Sequence, residues 1–425
     1  MSVPATTVTA YFDLSATGGD YFTLDDATKG PLDGVTYKLA GTVATDISAY
    51  VRSVTFSRGR SRVLDEFTAG TCTIVLSNQN RTFDPLYTAG PYYGNIAPGK
   101  KFTITTLSST TFTGIVEDWN FSYDVGGESV ATVTIVDTLA QLGAMEFDAW
   151  TTTAQLPGAR MTAILDRPEV NFPANRYITT GITNLQADSV SWGSNVLNYM
   201  QTVAKTDGGR LYGGAGNGGI IYKDRYTANL EASSPWLLIA DDGTGIAYQA
   251  IDIQHGSELL FNRVSVDRVG GTKQTATNAA SQAAYGVRSL SMSSMLQTTD
   301  GAALDLATWT VGVYAQPQVR IASVSFQLGA IDTSVGVSGW VSVSGRPPTD
   351  QQGICMADIG NAVTVTFTPN RTGSPIVSQC MIEGISHDIR PGSHIVTLRL
   401  SDIAAVPFTL NSSTLGVLDT SVLSF

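Results

Sequence analysis

Residues Gly360–Asp402 read GNAVTVTFTPNRTGSPIVSQCMIEGISHDIRPGSHIVTLRLSD, a pattern that the chain carries twice. The earlier copy is Gly99–Asp137, GKKFTITTLSSTTFTGIVEDWNFSYDVGGESVATVTIVD. Identities between them are few. Each opens on Gly and an alternating segment, with Phe102 and Ile104 in one and Val363 and Val365 in the other. Strict alternation of apolar and polar residues marks a strand with one buried face. A Ser/Thr-rich turn follows, then a second strand through Glu117 or Glu383, then a turn at Gly126-Gly127 or Pro391-Gly392. A last alternating strand ends at Asp137 or Asp402. Glu117 and Glu383 are 266 residues apart, as are Gly126 and Gly392, so the central block aligns without a gap. The expected fold is therefore mainly β with a small α+β part: two related antiparallel β-barrel-like domains separated by an α+β domain.

Working outward, a chain of 425 residues exceeds the ~250–300 at which single cores stop growing, and two or three domains are expected. Apolar residues make up 43% and charged residues only 14%, against ~25% charged in ordinary soluble domains. Ser, Thr and Gly fill the difference, as suits a β-rich assembly part covered by neighbours. The net charge of −11 lacks the basic footprint of a nucleic-acid binder. Cys72, Cys355 and Cys380 have no metal-type spacing and are expected as buried thiols. The start, MSVPATTVTAYFDL, has neither the charged nor the apolar region of a secretory signal. No apolar run reaches the ~20 residues of a membrane-spanning helix.

The expected division is a 1–34 extension, a 35–142 first β unit, a 143–250 α+β part, a 251–402 second β unit and a 403–425 arm. In the first unit, Cys72, Ile74 and Leu76 line one face of a strand. The segment NQNRTFDPLYTAGPYYGNIAPGK that follows is long for a loop and is expected to be a contact surface. In the α+β part, Val196, Leu197, Met200, Val203 and Ala204 form a helical face, with Ser194 as N-cap and Gly208 past the C-terminus. In the second unit, residues 270–350 are expected as an excursion of helix and loop. Asp300 is the expected cap of a helix that runs through Ala315.

Catalytic patterns are sparse. Gly214, Gly216 and Gly219 fit GxGxxG, but a helix precedes them and a strand follows, the reverse of a dinucleotide site; a hairpin turn is expected. His387 and His394 flank a turn without an evident third metal ligand. Glu117-Asp118 lie adjacent on a strand, where neighbours point to opposite faces, so they do not form a glycosidase pair. No nucleophile elbow is present. We expect no catalytic residue, no cofactor and no metal. Arg58, Arg60 and Arg62 form the one basic cluster. They pair either with Asp65, Glu66 or Asp84 within the chain or with another subunit.

In VRSVTFSRGRSRVLDEFTAGTCTIVLSNQNRTFDP, PYYGNIAPGKKFTI and FTGIVEDW the chain resembles the tail-tip hub (minor tail) proteins of long-tailed phages of actinobacteria. VLNYMQTVAKTDGGRLY with GGIIYKDR, FNRVSVDR, and ADIGNAVTVTF with MIEGISHDI extend the resemblance over roughly 35–402. The family is similar to the trimeric hubs of contractile injection systems. The resemblance implies a homotrimer in which two like β units per subunit give a pseudo-sixfold ring. Such a ring would join a sixfold distal tail ring to threefold fibre or spike proteins. It would frame the channel for ejected DNA without gripping it and neighbour the tape measure protein. The implied location is the tail tip of a virion assembled in the host cytoplasm. Arg58, Arg60, Arg62, Asp84, Tyr92 and Tyr93 are the expected subunit contacts, since Arg and Tyr are enriched at interfaces. Only a short arm follows Asp402, so receptor binding and wall cleavage are expected on other proteins. A glycan-binding module using the scattered Trp residues is the alternative, and a wall hydrolase the remote one.

Overall fold

The computed structural model describes residues 3–13, 41–172, 175–225, 227, 235–331 and 349–403. Most of the expected N-terminal extension, residues 332–348 and nearly all of the expected 403–425 arm lie outside them.

The first seven strands are β1 Thr6–Asp13, β2 Thr42–Asp46, β3 Val51–Gly59, β4 Thr68–Ser77, β5 Lys101–Thr106, β6 Ser109–Ser122 and β7 Val130–Val136. The middle of the chain holds α1 Thr138–Gly143, β8 Trp150–Thr151, α2 Pro157–Leu165, β9 Arg176–Ile178, β10 Ser189–Val190, α3 Val196–Asp207, β11 Arg210–Gly213 and β12 Ile220–Lys223. There follow β13 Leu237–Ala240, β14 Ala250–His255, β15 Arg263–Arg268, β16 Gln274–Thr277, α4 Ala279–Tyr285, β17 Ser289–Met295, α5 Asp300–Tyr314 and β18 Val319–Gln327. The last elements are α6 Asp350–Met356, β19 Ala362–Phe367, β20 Ile376–Arg390 and β21 Ser393–Asp402.

The protein is mainly β, and the strands of both repeats belong to one 13-stranded sheet. Its order runs β14-β18-β21-β20-β3-β4-β7-β6-β5-β1-β2, with β19 on β20 and β13 on β19. All its ladders are antiparallel except β13–β19. The meander β5–β6–β7 and the meander β19–β20–β21 are the two copies seen in the sequence. Each is flanked by an equivalent pair, β4 and β3 beyond β7, β18 and β14 beyond β21.

The correspondence reaches a backbone irregularity. The β6–β7 ladder slips between Val116 and Asp118, and the β20–β21 ladder slips between Ile382 and Gly384. Glu117 and Glu383 are thus bulged residues at the same place. The gapless alignment holds only through the second strand. Val116 pairs with Ile135 and Ile382 with Leu400, and those partners are 265 residues apart, so the hairpin turn absorbs one residue. The bulge also overturns the alternation expected at Glu117-Asp118: both side chains are exposed.

Burial follows the alternation. In β4, Cys72, Ile74 and Leu76 are fully buried, and they pack with Val8, Phe56, Phe102 and Phe112 in one core. A second core gathers Val324, Phe326, Val363, Val365, Ile382 and Leu398 from the other repeat. A third gathers Met161, Ile164, Met200, Val203 and Tyr222 from α2, α3 and β12. All three cysteines are buried and free.

Helix α3 forms as its periodicity predicts, and Gly208 takes the left-handed conformation at φ 69°. Its cap is Asn195 rather than Ser194: the Asn195 carboxamide accepts from Asn198 N at 3.0 Å. Likewise Thr299, not Asp300, caps α5. The segment 270–298 is not merely an excursion. β16 and β17 flank β15 in a separate three-stranded sheet, which packs on α5 around Val264, Val266, Ala303 and Ala307.

Candidate assembly site at the joint between the repeats

Strand β20 is 15 residues long and serves two partners on one side. Its first part, Ile376–Met381, pairs with β19. Its second part, from Gly384 to Ile389, pairs with β3, putting Gly384 opposite Gly59, His387 opposite Phe56 and Ile389 opposite Val54. The bulge at Glu383 sits where one partner gives way to the other. A bulge re-aims a side chain, and here it aims a carboxylate into the junction.

Glu383 is fully buried. Its Oε2 accepts from Arg60 Nε at 2.7 Å, and its Oε1 from Arg210 Nη2 at 3.0 Å and Ser401 Oγ at 2.5 Å. The Glu383 carbonyl also accepts from Arg60 N at 2.9 Å. Four segments therefore meet on one residue: the end of β3, β11, β20 and β21. Burial by itself would push the Glu383 carboxyl up. The guanidiniums of Arg210 and Arg60, with the hydrogen bonds from Arg60 and Ser401, outweigh it and hold the group below the ordinary carboxylate value.

Two further contacts lock the joint. Arg58, only 4% exposed, donates from Nη2 to Asp358 Oδ1 at 2.7 Å and from Nη1 to Gly213 O at 3.2 Å. Beside it Asp137 caps α1, accepting from Leu139 N at 2.9 Å. Its carboxylate fills the space over Gly70 and Gly213, where a Cβ would come within 2.8 Å of it. Burial first, against backbone hydrogen bonds and Arg58, raises the Asp137 carboxyl to about 6.

On the other side of the joint, His387 and His394 are both buried, with His387 Nδ1 2.9 Å from His394 Nε2. His387 stacks on Phe56, centroids 4.4 Å apart. The pair is an internal hydrogen bond between β20 and β21 of the second repeat, set against the first repeat by the Phe56 stack, rather than two polar residues flanking a surface turn. Burial, then His394 and Arg58, depresses His387 well below the usual imidazole value, and burial lowers His394 to about 4.

The six residues expected at subunit contacts divide. Arg58 and Arg60 are engaged inside the chain. Asp84 is buried and accepts from Arg81 Nε at 2.7 Å. Tyr92 packs on Phe12 and Phe83, centroids 4.8 and 5.4 Å away. Segment 78–100 is thus partly a lid on the first core, with Phe83, Asn95 and Ile96 buried. Arg62 is exposed and pairs with Asp65 and Glu258; Tyr93 is 41% exposed. Arg62 and Glu258 line an open groove of about 1030 Å³ beside Trp309, Tyr314 and His255.

The repeat marks Glu383 only as a residue of its second strand, and nothing in the sequence pattern singles out Arg210 or the buried role of Asp137. The legible signal was a charged residue inside the apolar run CMIEGI. The GxGxxG stretch forms the turn between antiparallel β11 and β12. Among the described residues, no three His, Cys, Asp or Glu side chains converge as a metal set. Trp119, Trp150, Trp236 and Trp309 are partly buried in different elements, and Trp192 is exposed at 77%. Trp340 lies outside the described residues.

No protein-family model matches the chain, and no curated protein matches it by sequence. Its fold is similar to that of the 43 kDa tail protein of prophage MuSo2 from Shewanella oneidensis: 16% identity, 86% of this chain and 96% of that one, TM-score 0.53. It is also similar to the tail protein from Neisseria meningitidis MC58, at 11% identity, 85% of this chain and 94% of that one, TM-score 0.56. At these identities the likeness is one of fold.

Proposed function

We propose that the chain is a structural subunit of the tail tip of a long-tailed phage of actinobacteria. Three copies form a hub in which six like β units surround the channel for DNA. Above, the ring meets the sixfold distal tail ring and the tape measure protein; below, it carries threefold fibre or spike proteins. Its chemistry is packing at joints, without catalysis. The supporting observation is the duplication: two β units, alike down to the bulge at Glu117 and Glu383, are fused into one sheet by β20 and β3. A subunit needs two like units when it must present six to a neighbour and three to another. The fold likeness to a prophage tail protein and to a second tail protein agrees with this reading. The test is the mass of the purified full chain by light scattering, with class averages from electron microscopy. A ring of three with a central opening is expected. A chain that stays monomeric at high concentration, alone and with its distal tail ring, overturns the reading.

A further inference from the structure

The joint inside the chain has a counterpart whose two halves are present but unjoined. β3 runs Val54-Thr55-Phe56-Ser57-Arg58-Gly59 and is paired on both edges, by β4 and by β20. Its equivalent in the second repeat is β14. Following the ladders, Thr55 pairs with Thr73 and Asp252 with Ser323, at matching places of β4 and β18. The ladders differ in between, since β18 carries its extra residue opposite Asp252 and Ile253 and β4 carries its own opposite Ser57 and Gly59, but with one extra partner residue each they come back into step at Gly59 and Gly256. Counting along the strands aligns VTFSRG, 54–59, with IDIQHG, 251–256: apolar, polar, apolar, polar, basic, Gly. Yet among the described residues β14 ends the sheet, paired by β18 alone, and its residues are almost all exposed, Ile253 at 38%.

The other half is the end of β6. The second part of β20 grips β3; the corresponding part of β6, from Asp118 to Ser122, pairs with β7 on one side and with no strand on the other among the described residues. Asp118, Asn120 and Ser122 are exposed and Trp119 and Phe121 half-buried on the first core, while Tyr123 at 51% and Val125 beyond it are exposed. Two free edges are templates for strand addition. Within one chain, β14 and β6 lie seven places apart in the sheet order, so they do not meet each other along it.

Glycine gives the independent sign. At the joint, a Cβ on Gly59 would lie 2.3 Å from Glu383 O, because β20 approaches there without room for a side chain. Gly256 holds the equivalent position, and a Cβ on it would meet nothing within 4 Å. The space that Glu383 occupies over Gly59 is open over Gly256.

We propose that β14 of one copy pairs antiparallel with the end of β6 of a second copy of this chain, repeating the β3–β20 joint between subunits. The proposal rests on the trimeric reading above and names its contact. Transferring the register of the internal joint puts Asp118 opposite Gly256, Phe121 opposite Ile253, Ser122 opposite Asp252 and Tyr123 opposite Ile251. The Thr55–Asp388 pair, 3.5 Å apart across the internal joint, returns with its partners exchanged as Ser122 and Asp252. Ile253 and Tyr123, exposed in the single chain, become covered as Phe56 and Ile389 are. The contact is heterologous, and with a threefold rotation between copies it closes into a ring rather than an open filament; three copies then make six joints, three internal and three between chains.

The test uses the full chain with paired cysteines, Ser122→Cys with Asp252→Cys and, separately, Tyr123→Cys with Ile251→Cys. Adjacent antiparallel pairs alternate in spacing, so one of the two presents the closer Cβ separation. Mild oxidation with diamide is expected to give covalent dimers and trimers from at least one matched pair. The shifted pair Ser122→Cys with Ala250→Cys and each single variant should stay largely unlinked. Gly256→Val, which has open space in the single chain, should melt like the parent yet weaken association by on the order of 100-fold. A trimer by mass whose matched cysteines stay free, or one that Gly256→Val leaves intact, overturns this joint while the trimeric hub stands. A monomer at every concentration overturns both.

Discussion

Glu383 and Arg60 are joined twice, side chain to side chain at 2.7 Å and backbone to backbone at 2.9 Å, at the point where β20 leaves β19 for β3. Because Arg210 and Ser401 share the same carboxylate, the pair is the node of the joint between the repeats. Glu383→Gln keeps the shape but leaves two guanidiniums around a neutral amide. Breaking a buried ion pair from one side costs about 3–5 kcal/mol, and that loss is expected in urea unfolding. A loss under about 1 kcal/mol would show the node to be no more than a surface-type pair.

The histidine pair makes the fold sensitive to acid. His394, held at about 4 by burial, stays neutral in the folded chain where an unfolded imidazole, at ~6.5, takes up a proton. Stability is therefore complete above ~6.5 and falls as the pH drops toward 4, by about 2–3 kcal/mol for His394; His387 acts in the same sense. Asp137 opposes them. With its carboxyl raised to about 6 from 3.8, it favours the folded state at low pH and loses that contribution as the pH rises through 6. Urea midpoints measured from pH 7.5 to 4.5 should thus decline on acidification. Asp137→Asn should steepen the decline, and His387→Gln with His394→Gln should flatten it. The opposite order would refute the assignment.

Close approach at the joint predicts a contrast between two glycines in the left-handed region. Gly59 (φ 95°) has Glu383 O and Gly384 Cα within 2.6 Å of a Cβ, whereas Gly126 (φ 76°) has nothing within 4 Å. Gly126→Ala should cost only the left-handed strain, about 1–2 kcal/mol. Gly59→Ala must in addition part β3 from β20, and should melt well below Gly126→Ala in differential scanning calorimetry. Equal melting temperatures would mean the joint is not tightly packed.

Arg62→Ala and Tyr93→Ala test the remaining expected contacts. Both side chains are exposed, so neither change should alter the melting temperature of the single chain. If these residues meet a neighbouring subunit, the trimer's dissociation constant rises while the fold stays the same, as sedimentation would read. Arg58→Ala, by contrast, should destabilise the chain itself, because it strips Asp358 and Gly213 of a buried partner.

Much of this was legible along the chain. The alternation of β4, the helical face of α3, the left-handed Gly208 and the hairpin at the glycine-rich stretch all follow from spacing within a dozen residues. The cap of α3 was misplaced by one because Ser194 and Asn195 are both good caps, and only backbone geometry chooses. The bulges at Glu117 and Glu383 were hidden because a bulge leaves the apolar pattern of its own strand almost intact and shows only in the register of its partner.

That two like antiparallel units occur in order is written along the chain, since period-two burial and turn chemistry are local properties. The sequence could not determine that β20 would abandon β19 for β3, bringing Glu383 to Arg60 across 323 residues. Nor could it show that Arg58 and Asp84, which read as surface charges, would be enclosed while Arg62 stays out. Ion pairs and strand edges are satisfied by whatever the folded chain brings beside them. Pairing at that separation is decided by which cores pack together, and so by the tertiary structure alone.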